Sequence, residues 1–171
     1  MEFFNVIQTR HSVRAYRPDG IDTEKLNKIL DCANQAPSAG NLQAYDIYIA
    51  RDANTRTALA KAALNQDFIA QAPVVLVFCA HPERSAWRYH QRGIDLYCVQ
   101  DATIACTYAM LAATALGLGS VWVGAFDTGT VRQVIGASRG ILPIAILPIG
   151  YSSEPPSSRS RRKLADLVHE I

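Results

Sequence analysis

A long apolar segment, Ile94–Leu116, constrains the fold of this 171-residue chain more than any other feature. It is long enough to cross a membrane, but Asp95, Gln100 and Asp101 lie inside it. Gly117 follows it directly, and glycine commonly ends a helix. The pattern therefore predicts a long helix at the centre of a folded core and not a membrane span.

Shorter segments predict the elements around this helix. Predicted helices cover residues 3–9, the segment that Asp22 caps, the segment from Asp52 to about Leu64, and Val131–Ile135. Predicted strands cover Tyr45–Arg51, Val74–Cys79, Ser120–Phe126 and Ile141–Tyr151. The second of these is apolar throughout, which indicates a central strand buried on both faces. Residues 81–93 are polar and basic and predict a surface loop or lid.

Helices and strands alternate without a strict βαβ order, which favours an α+β fold with a mixed sheet covered by helices. The length predicts one domain over residues 1–171. Hydrophobic residues make up 49% of the chain, and the net charge is +2. A charge that small argues against a nucleic-acid-binding protein, which normally carries a dense basic face.

Cysteine and histidine usage bears on metals and on the compartment. The four cysteines form no C-x-x-C pair, and the four histidines are not spaced as ligands with them, so no metal site is predicted. The first residues lack the basic region and apolar run of a secretory signal. We therefore expect a reducing, cytoplasmic compartment.

Arginines cluster at both ends of the chain. Of 13 arginines, three lie in Arg10–Arg17 and three in Arg159–Arg162. Guanidinium groups bind oxyanions through paired hydrogen bonds, and a neighbouring serine adds a donor. Two such segments, with the polar loop Pro37–Gln43 as a third, predict a phosphate-bearing cofactor if the fold brings the termini together. The alternative for any single arginine is a solvated surface charge.

Two glycine motifs match known signatures by letter but not by context. Gly117, Gly119 and Gly124 superficially resemble a dinucleotide fingerprint, yet the third glycine is misplaced and the segment runs from helix to strand. Residues 136–140 match G-x-S-x-G, but they follow a predicted helix, whereas a nucleophile elbow follows a strand. No P-loop, H-E-x-x-H or paired-carboxylate motif is present, so kinase, metalloprotease and glycosidase activities lack support.

Four segments, in this order, resemble the FMN-dependent nitroreductase family. They are Arg10–Arg14, Ala36–Gln43, Gly117–Phe126 and Arg159–Leu164. The resemblance covers essentially the whole chain. It implies an α+β fold with a mixed, mainly antiparallel central sheet. It also implies an intertwined homodimer with one FMN per subunit at the dimer interface.

The resemblance implies a role for each matching residue. Those expected to bind the FMN phosphate are Arg10, Ser12, Arg159 and Arg161, with mainly backbone contacts from His11. Those expected to contact the flavin of the other subunit are Pro37, Ser38, Ala39 and Asn41.

Further roles concern the flavin ring itself. Arg14 matches a cation near the N1/O2 edge, and Gly124 and Ala125 match the turn whose N–H faces N5. Arg14 and Gly124 are therefore the candidate catalytic residues. Asn65 matches a side chain that contacts the pyrimidine edge in some relatives, although it is also a plausible helix cap.

The implied activity is that of an FMN-dependent NAD(P)H oxidoreductase. NADH or NADPH would donate hydride to flavin N5, and a nitroaromatic, quinone or similar small acceptor would then take it in a ping-pong reaction. A cation beside N1/O2 would stabilise the negative charge that develops there. The alternatives are reductive dehalogenation or flavin fragmentation on the same fold, and a non-catalytic protein that binds or stores FMN.

The chain departs from the family pattern in places. Phe68 stands where some relatives have a second lysine beside the flavin, and Ala44 replaces the proline that commonly follows the loop. Residues 81–97 leave little room for the helical excursion of larger members, although Tyr89 and Tyr97 are candidates for a substrate lid.

The last segment, residues 152–171, is first rich in serine and proline and then amphipathic. Its apolar positions are Leu164, Leu167, Val168 and Ile171. An apolar stripe after such an arm predicts that the arm packs on a dimer partner.

Overall fold

The computed structural model describes residues 2–157 and 160–171. Its strands are β1 (Tyr45–Ala50), β2 (Val74–Ala80), β3 (Gly119–Ser120) and β4 (Leu142–Gly150). They form one sheet in the order β1–β2–β4–β3, and every pair of neighbouring strands is antiparallel. A single bridge between Ser12 and Ser120 is parallel. The sheet and its covering helices confirm the predicted α+β fold.

Seven α-helices surround the sheet in the described part of the chain. They are α1 (Phe3–Thr9), α2 (Thr23–Asn34), α3 (Ala53–Ala62), α4 (Phe68–Gln71), α5 (Pro82–Arg92), α6 (Cys98–Ala115) and α7 (Thr128–Val134). Short 3₁₀ turns lie at Ala39–Asn41 and Leu164–Asp166, and a π-helical turn lies at Gly93–Tyr97.

Strand β2 is buried at every residue because helices cover both faces of the sheet. Its alternate side chains enter two separate cores. Val75 and Val77 pack with residues of α3, α4 and α7, whereas Leu76 and Phe78 pack with residues of α2 and α6. The uninterrupted apolar run therefore predicted a central strand correctly.

Helix α6 confirms the predicted core helix, although it begins at Cys98 and not at Ile94. The buried positions of α6 are mostly alanine, so the helix lies close against α2 and the sheet. The described residues contain no helix that is long and apolar enough to span a membrane.

The prediction of a surface loop over residues 81–93 is wrong. Pro82 occupies the first turn of α5, and His81 Nδ1 accepts a hydrogen bond from the Arg84 N–H at 3.2 Å, which caps the helix. The helix is kinked at His90, whose φ is 49°. A Cβ at Gly93 would lie 2.6 Å from the Ser85 carbonyl oxygen, so glycine allows the following turn to lie close against α5. The sequence did not predict this helix because the helix has no buried apolar stripe: Ser85 is its one buried residue.

The prediction of a strand over Ser120–Phe126 is wrong beyond Ser120. The β3–β4 register continues to a bridge between Val123 and Ile146, which places Val121 opposite Pro148. Proline has no N–H to donate, so the ladder is interrupted there.

Two aspartates predicted to cap helices behave differently. Asp52 accepts a hydrogen bond from the Thr55 N–H at 2.8 Å at the start of α3, as predicted. Asp22 occupies the equivalent position before α2, but its side chain makes no capping hydrogen bond.

Candidate functional site

The first arginine segment lies against the chain that follows β4. The Ser153 N–H donates to the Ala15 carbonyl at 3.0 Å, and the Arg14 N–H donates to Glu154 Oε1 at 2.7 Å. Tyr16 is buried between them, and burial raises the pKa of its hydroxyl. The fold thus brings the segments near the two termini together, as the arginine clusters required.

A cleft of about 540 Å³ opens where these segments meet. Its lining residues are Ile7, Gln8, Arg10, His11, Ser12, Arg14, Ser157 and Arg161. Five of the residues expected at the cofactor therefore line one space, and Arg159 lies outside the described residues. We call this space the arginine cleft.

His11 leaves one ring nitrogen available beside the arginine cleft. Its Nδ1 is 2.9 Å from the Thr9 carbonyl oxygen, and a carbonyl only accepts, so the proton is assigned to Nδ1. Nε2 is buried and has no hydrogen-bond partner among the described residues. Ser120 Oγ, next to the Ser12 bridge, is also buried without such a partner. Orphaned buried polar atoms are uncommon, and because His11 lines the arginine cleft, a polar ligand there would satisfy its Nε2.

The Pro37–Gln43 loop lines a different space, of about 520 Å³. Pro37, Ser38 and Ala39 line it together with Tyr97 and residues at the start of α6. No residue is shared between its lining and that of the arginine cleft. We call this second space the loop cleft.

Asn41 is exposed and does not line the loop cleft. It has a positive φ of 58°, and its Oδ1 accepts a hydrogen bond from Gln43 Nε2 at 2.6 Å. Gly40 beside it also has a positive φ, 56°, which glycine adopts without strain.

Asp101 holds this loop from beneath, and our sequence reasoning did not assign it a role. Its side chain is 2% exposed, and its two carboxylate oxygens accept from the Ala39 N–H at 2.9 Å and the Ala44 N–H at 3.2 Å. A carboxylate that interrupts an apolar helix was the available signal, since such a group must find donors when buried.

Asn65, Gly124 and Ala125 form a third group. Asn65 is exposed with a φ of 60°, just after α3. Gln66 beside it donates from Nε2 to the Ala125 carbonyl at 3.1 Å, which ties this turn to the one that holds Gly124. Neither cleft described above includes these residues in its lining.

Comparison with known proteins gives the family. The model of the nitroreductase family matches residues 7–66 and 61–151. The chain belongs to the nitroreductase family. It is 32% identical to a putative NADH dehydrogenase/NAD(P)H nitroreductase of Archaeoglobus fulgidus over 157 residues, covering 90% of this chain and 87% of the relative.

Solved structures of related enzymes share the fold of this chain. Nitroreductase A of Vibrio parahaemolyticus superimposes with a TM-score of 0.91 at 28% identity, covering 99% of this chain and 76% of that one. The NADPH:FMN oxidoreductase of Vibrio harveyi, solved in complex with NAD+, superimposes with a TM-score of 0.90 at 25% identity. The match covers 98% of this chain and 76% of that one.

Proposed function

We propose that this protein is an FMN-dependent NAD(P)H oxidoreductase that reduces small acceptors such as nitroaromatics and quinones. The observation that carries the proposal is the arginine cleft, where Arg10, Ser12, Arg14 and Arg161 line one space. Membership of the nitroreductase family supports the reaction class and the use of FMN with NADH or NADPH. The Vibrio harveyi relative, named for NADPH and FMN and solved with NAD+, supports the same cofactors.

The groups in the arginine cleft fit the phosphate end of FMN. Arginine forks and the Ser12 hydroxyl are donors suited to a dianion, and charge-assisted hydrogen bonds are the strong ones. His11 Nε2 supplies a further hydrogen-bonding atom that has no partner in the described chain. Ile7 adds an apolar contact at the same cleft.

FMN, when bound, supplies the redox chemistry by accepting a hydride from NAD(P)H and passing one to the acceptor. The chain's own groups bind and orient the reactants and stabilise charge. Arg14 places a fixed positive charge in the cleft, which favours negative charge on a ligand beside it. No protein nucleophile is required, in keeping with the lack of a nucleophile motif in the sequence.

We also propose a homodimer in which the Pro37–Asn41 loop completes the neighbouring subunit's site. Within one protomer this loop and the arginine cleft are separate, so a single chain leaves the expected contacts divided. Exposed apolar side chains on α1 and in the C-terminal arm supply surface for such a partner. They are Phe3, Phe4, Ile7, Leu164, Leu167, Val168 and Ile171.

A reducing, cytoplasmic location remains part of the proposal. Cys79, Cys98 and Cys106 are buried as unpaired thiols. Burial raises the pKa of Cys79 to about 12, which keeps that thiol protonated and unreactive.

The decisive experiment measures bound FMN and turnover. The purified protein should show a flavin absorption band and oxidise NAD(P)H when a quinone or nitroaromatic is present. The Arg10→Ala/Arg161→Ala variant should lose FMN affinity about a hundredfold or more, because each charge-assisted hydrogen bond contributes about 1.5–3 kcal/mol. The charge-matched variant Arg51→Ala/Arg132→Ala, altered outside the cleft, should keep the parent's affinity. Equal FMN affinity in both double variants would contradict the phosphate assignment.

A further inference from the structure

We propose a second anion-binding site, formed by Arg88 and Arg92 of α5 with Tyr89 and Tyr97. It would bind an oxyanion group, phosphate or carboxylate, on the electron donor or on the acceptor. The inference rests on the proposed function, since it assumes that the Pro37–Asn41 loop beside this site faces a flavin. We call the four side chains the α5 anion site.

Arg88 and Tyr89 lie directly over the loop. A Cβ placed on Gly40 would be 3.1 Å from Arg88 Nη1 and 2.5 Å from Tyr89 Oη. Arg84, one turn earlier on α5, donates from Nε to the Leu42 carbonyl and fixes the helix to the loop. Arg88 therefore lies beside the loop, with its guanidinium carbon 5.6 Å from the centre of the Tyr89 ring.

Arg92 and Tyr97 extend the site to the loop cleft. Arg92 Nε donates to Tyr97 Oη at 2.9 Å, and the guanidinium carbon lies 5.3 Å from the Tyr97 ring centre. Tyr97 in turn lines the loop cleft beside Pro37 and Ser38. Tyr89 and Tyr97 pack edge to face at 4.9 Å, so the two arginines are held on adjoining rings.

The local charges leave these arginines available to an anion. Neither Arg88 nor Arg92 forms an ion pair within residues 2–157 and 160–171. Of the neighbouring acids, Asp95 Oδ1 accepts from Gln91 at 2.8 Å, and Glu83 lies beside Gly140. Both arginines are exposed, so an incoming ligand could reach them.

This combination of groups suits an oxyanion on an aromatic or heteroaromatic ligand. Arginine binds phosphate and carboxylate through paired hydrogen bonds, and tyrosine rings offer surface for stacking. Two ligands of the proposed reaction carry such a group: NADPH has a 2′-phosphate that NADH lacks, and many aromatic acceptors carry a carboxylate.

The test compares pairs of substrates that differ in charge and little else. NADPH is set against NADH with a neutral quinone, and 4-nitrobenzoate is set against 4-nitrobenzamide. For each pair the selectivity is the kcat/KM for the member that carries the extra oxyanion group divided by that for the member that lacks it. In Arg88→Gln/Arg92→Gln the selectivity should fall about tenfold or more for at least one pair. In Arg88→Lys/Arg92→Lys it should partly recover, because the charge remains and the fork is lost.

Two controls make the result specific. The charge-matched variant Arg51→Gln/Arg132→Gln should keep the parent's selectivity. Raising the salt concentration from about 0.05 M to about 0.5 M should lower the parent's selectivity, because exposed charges are screened.

Each outcome has one meaning. A change confined to the donor pair assigns the site to the 2′-phosphate, and one confined to the acceptor pair assigns it to a carboxylate; a change in both assigns it to oxyanions in general. Unchanged selectivity for both pairs, in a parent that binds FMN and reduces the neutral acceptors, would overturn this inference alone. A parent that binds no FMN and reduces no acceptor would overturn the proposed function instead.

Discussion

Asp101 shows how one residue can organise a segment that is distant in sequence. Its buried carboxylate accepts from the N–H groups of Ala39, inside the loop, and Ala44, directly after it. Neither of these hydrogen bonds comes from a cationic side chain, so the negative charge is balanced by backbone dipoles. Asp101 therefore holds the loop from α6, while Arg84 of α5 donates to the Leu42 carbonyl and the Gln43 N–H donates to Ser38 Oγ at 3.0 Å.

We expect Asp101→Asn to loosen this loop. The amide group keeps one acceptor oxygen, but its NH₂ faces a backbone N–H that then has no partner. Leaving one buried donor unsatisfied should lower the free energy of unfolding by about 1–3 kcal/mol. Hydrogen exchange should show that the Ala39 or Ala44 amide loses protection.

Asp95→Asn is the matched control for that experiment. Asp95 is exposed on the π-helical turn, and its carboxylate accepts a hydrogen bond from the Gln91 side chain and none from the loop. It should leave both the stability and the protection of the loop amides unchanged. Full protection of both loop amides in Asp101→Asn would contradict the role assigned to Asp101.

At the scale of the element, the two helix caps make an internal comparison. Asp52→Ala should destabilise the protein more than Asp22→Ala, because the Asp52 side chain makes capping hydrogen bonds and the Asp22 side chain makes none. The measurement is the thermal unfolding midpoint of the two variants and the parent at neutral pH. Equal midpoints for the two variants would show that the α3 cap contributes nothing.

The stability effect of Asp52→Ala should depend on pH. The hydrogen bonds from Thr55 lower the pKa of Asp52 in the folded state. The contribution of this carboxylate is therefore present above its unfolded pKa of about 3.9 and is lost as the pH falls through the lower folded value. The difference in thermal unfolding midpoint between the parent and Asp52→Ala should therefore shrink as the pH is lowered towards about 3. A difference that stayed constant would mean that the charge of Asp52 is irrelevant.

At the scale of the whole molecule, the separation of the two clefts predicts complementation between subunits. The Arg10→Ala/Arg161→Ala variant damages the arginine cleft, and the Ser38→Ala/Asn41→Ala variant damages the loop. Each alone should be inactive. A mixed dimer would contain one site built from the intact arginine cleft of one subunit and the intact loop of the other.

Random exchange of equal amounts should therefore restore about a quarter of the parent's activity, because half of the dimers are mixed and each has one good site. The measurement is NAD(P)H oxidation after subunit exchange, with light scattering to give the mass. Unmixed samples taken through the same exchange procedure are the control. A monomer that retains FMN and turns over would contradict the shared site.

Much of the fold could be predicted from local pattern. The apolar run of β2, the Asp52 cap of α3 and the apolar length of α6 each depend on a few adjacent residues, and each was predicted correctly. Helix α5 was missed because it is held by contacts of Arg84, Arg88 and Tyr89 with a distant loop and not by an apolar stripe. The predicted strand after Ser120 failed because its register placed a proline opposite Val121.

The candidate site divides in the same way. The sequence alone determined which residue types could hold a phosphate, since the arginines and serine carry that chemistry wherever they lie. Only the tertiary structure decided that Arg14 and Arg161 line one cleft and that the Pro37–Ala39 loop lines another. It alone decided that Asp101 supports the loop and that Arg88 lies over it. The physical reason is that periodicity reflects interactions between residues close in sequence. A binding site, in contrast, depends on distances in space between segments that are far apart in sequence.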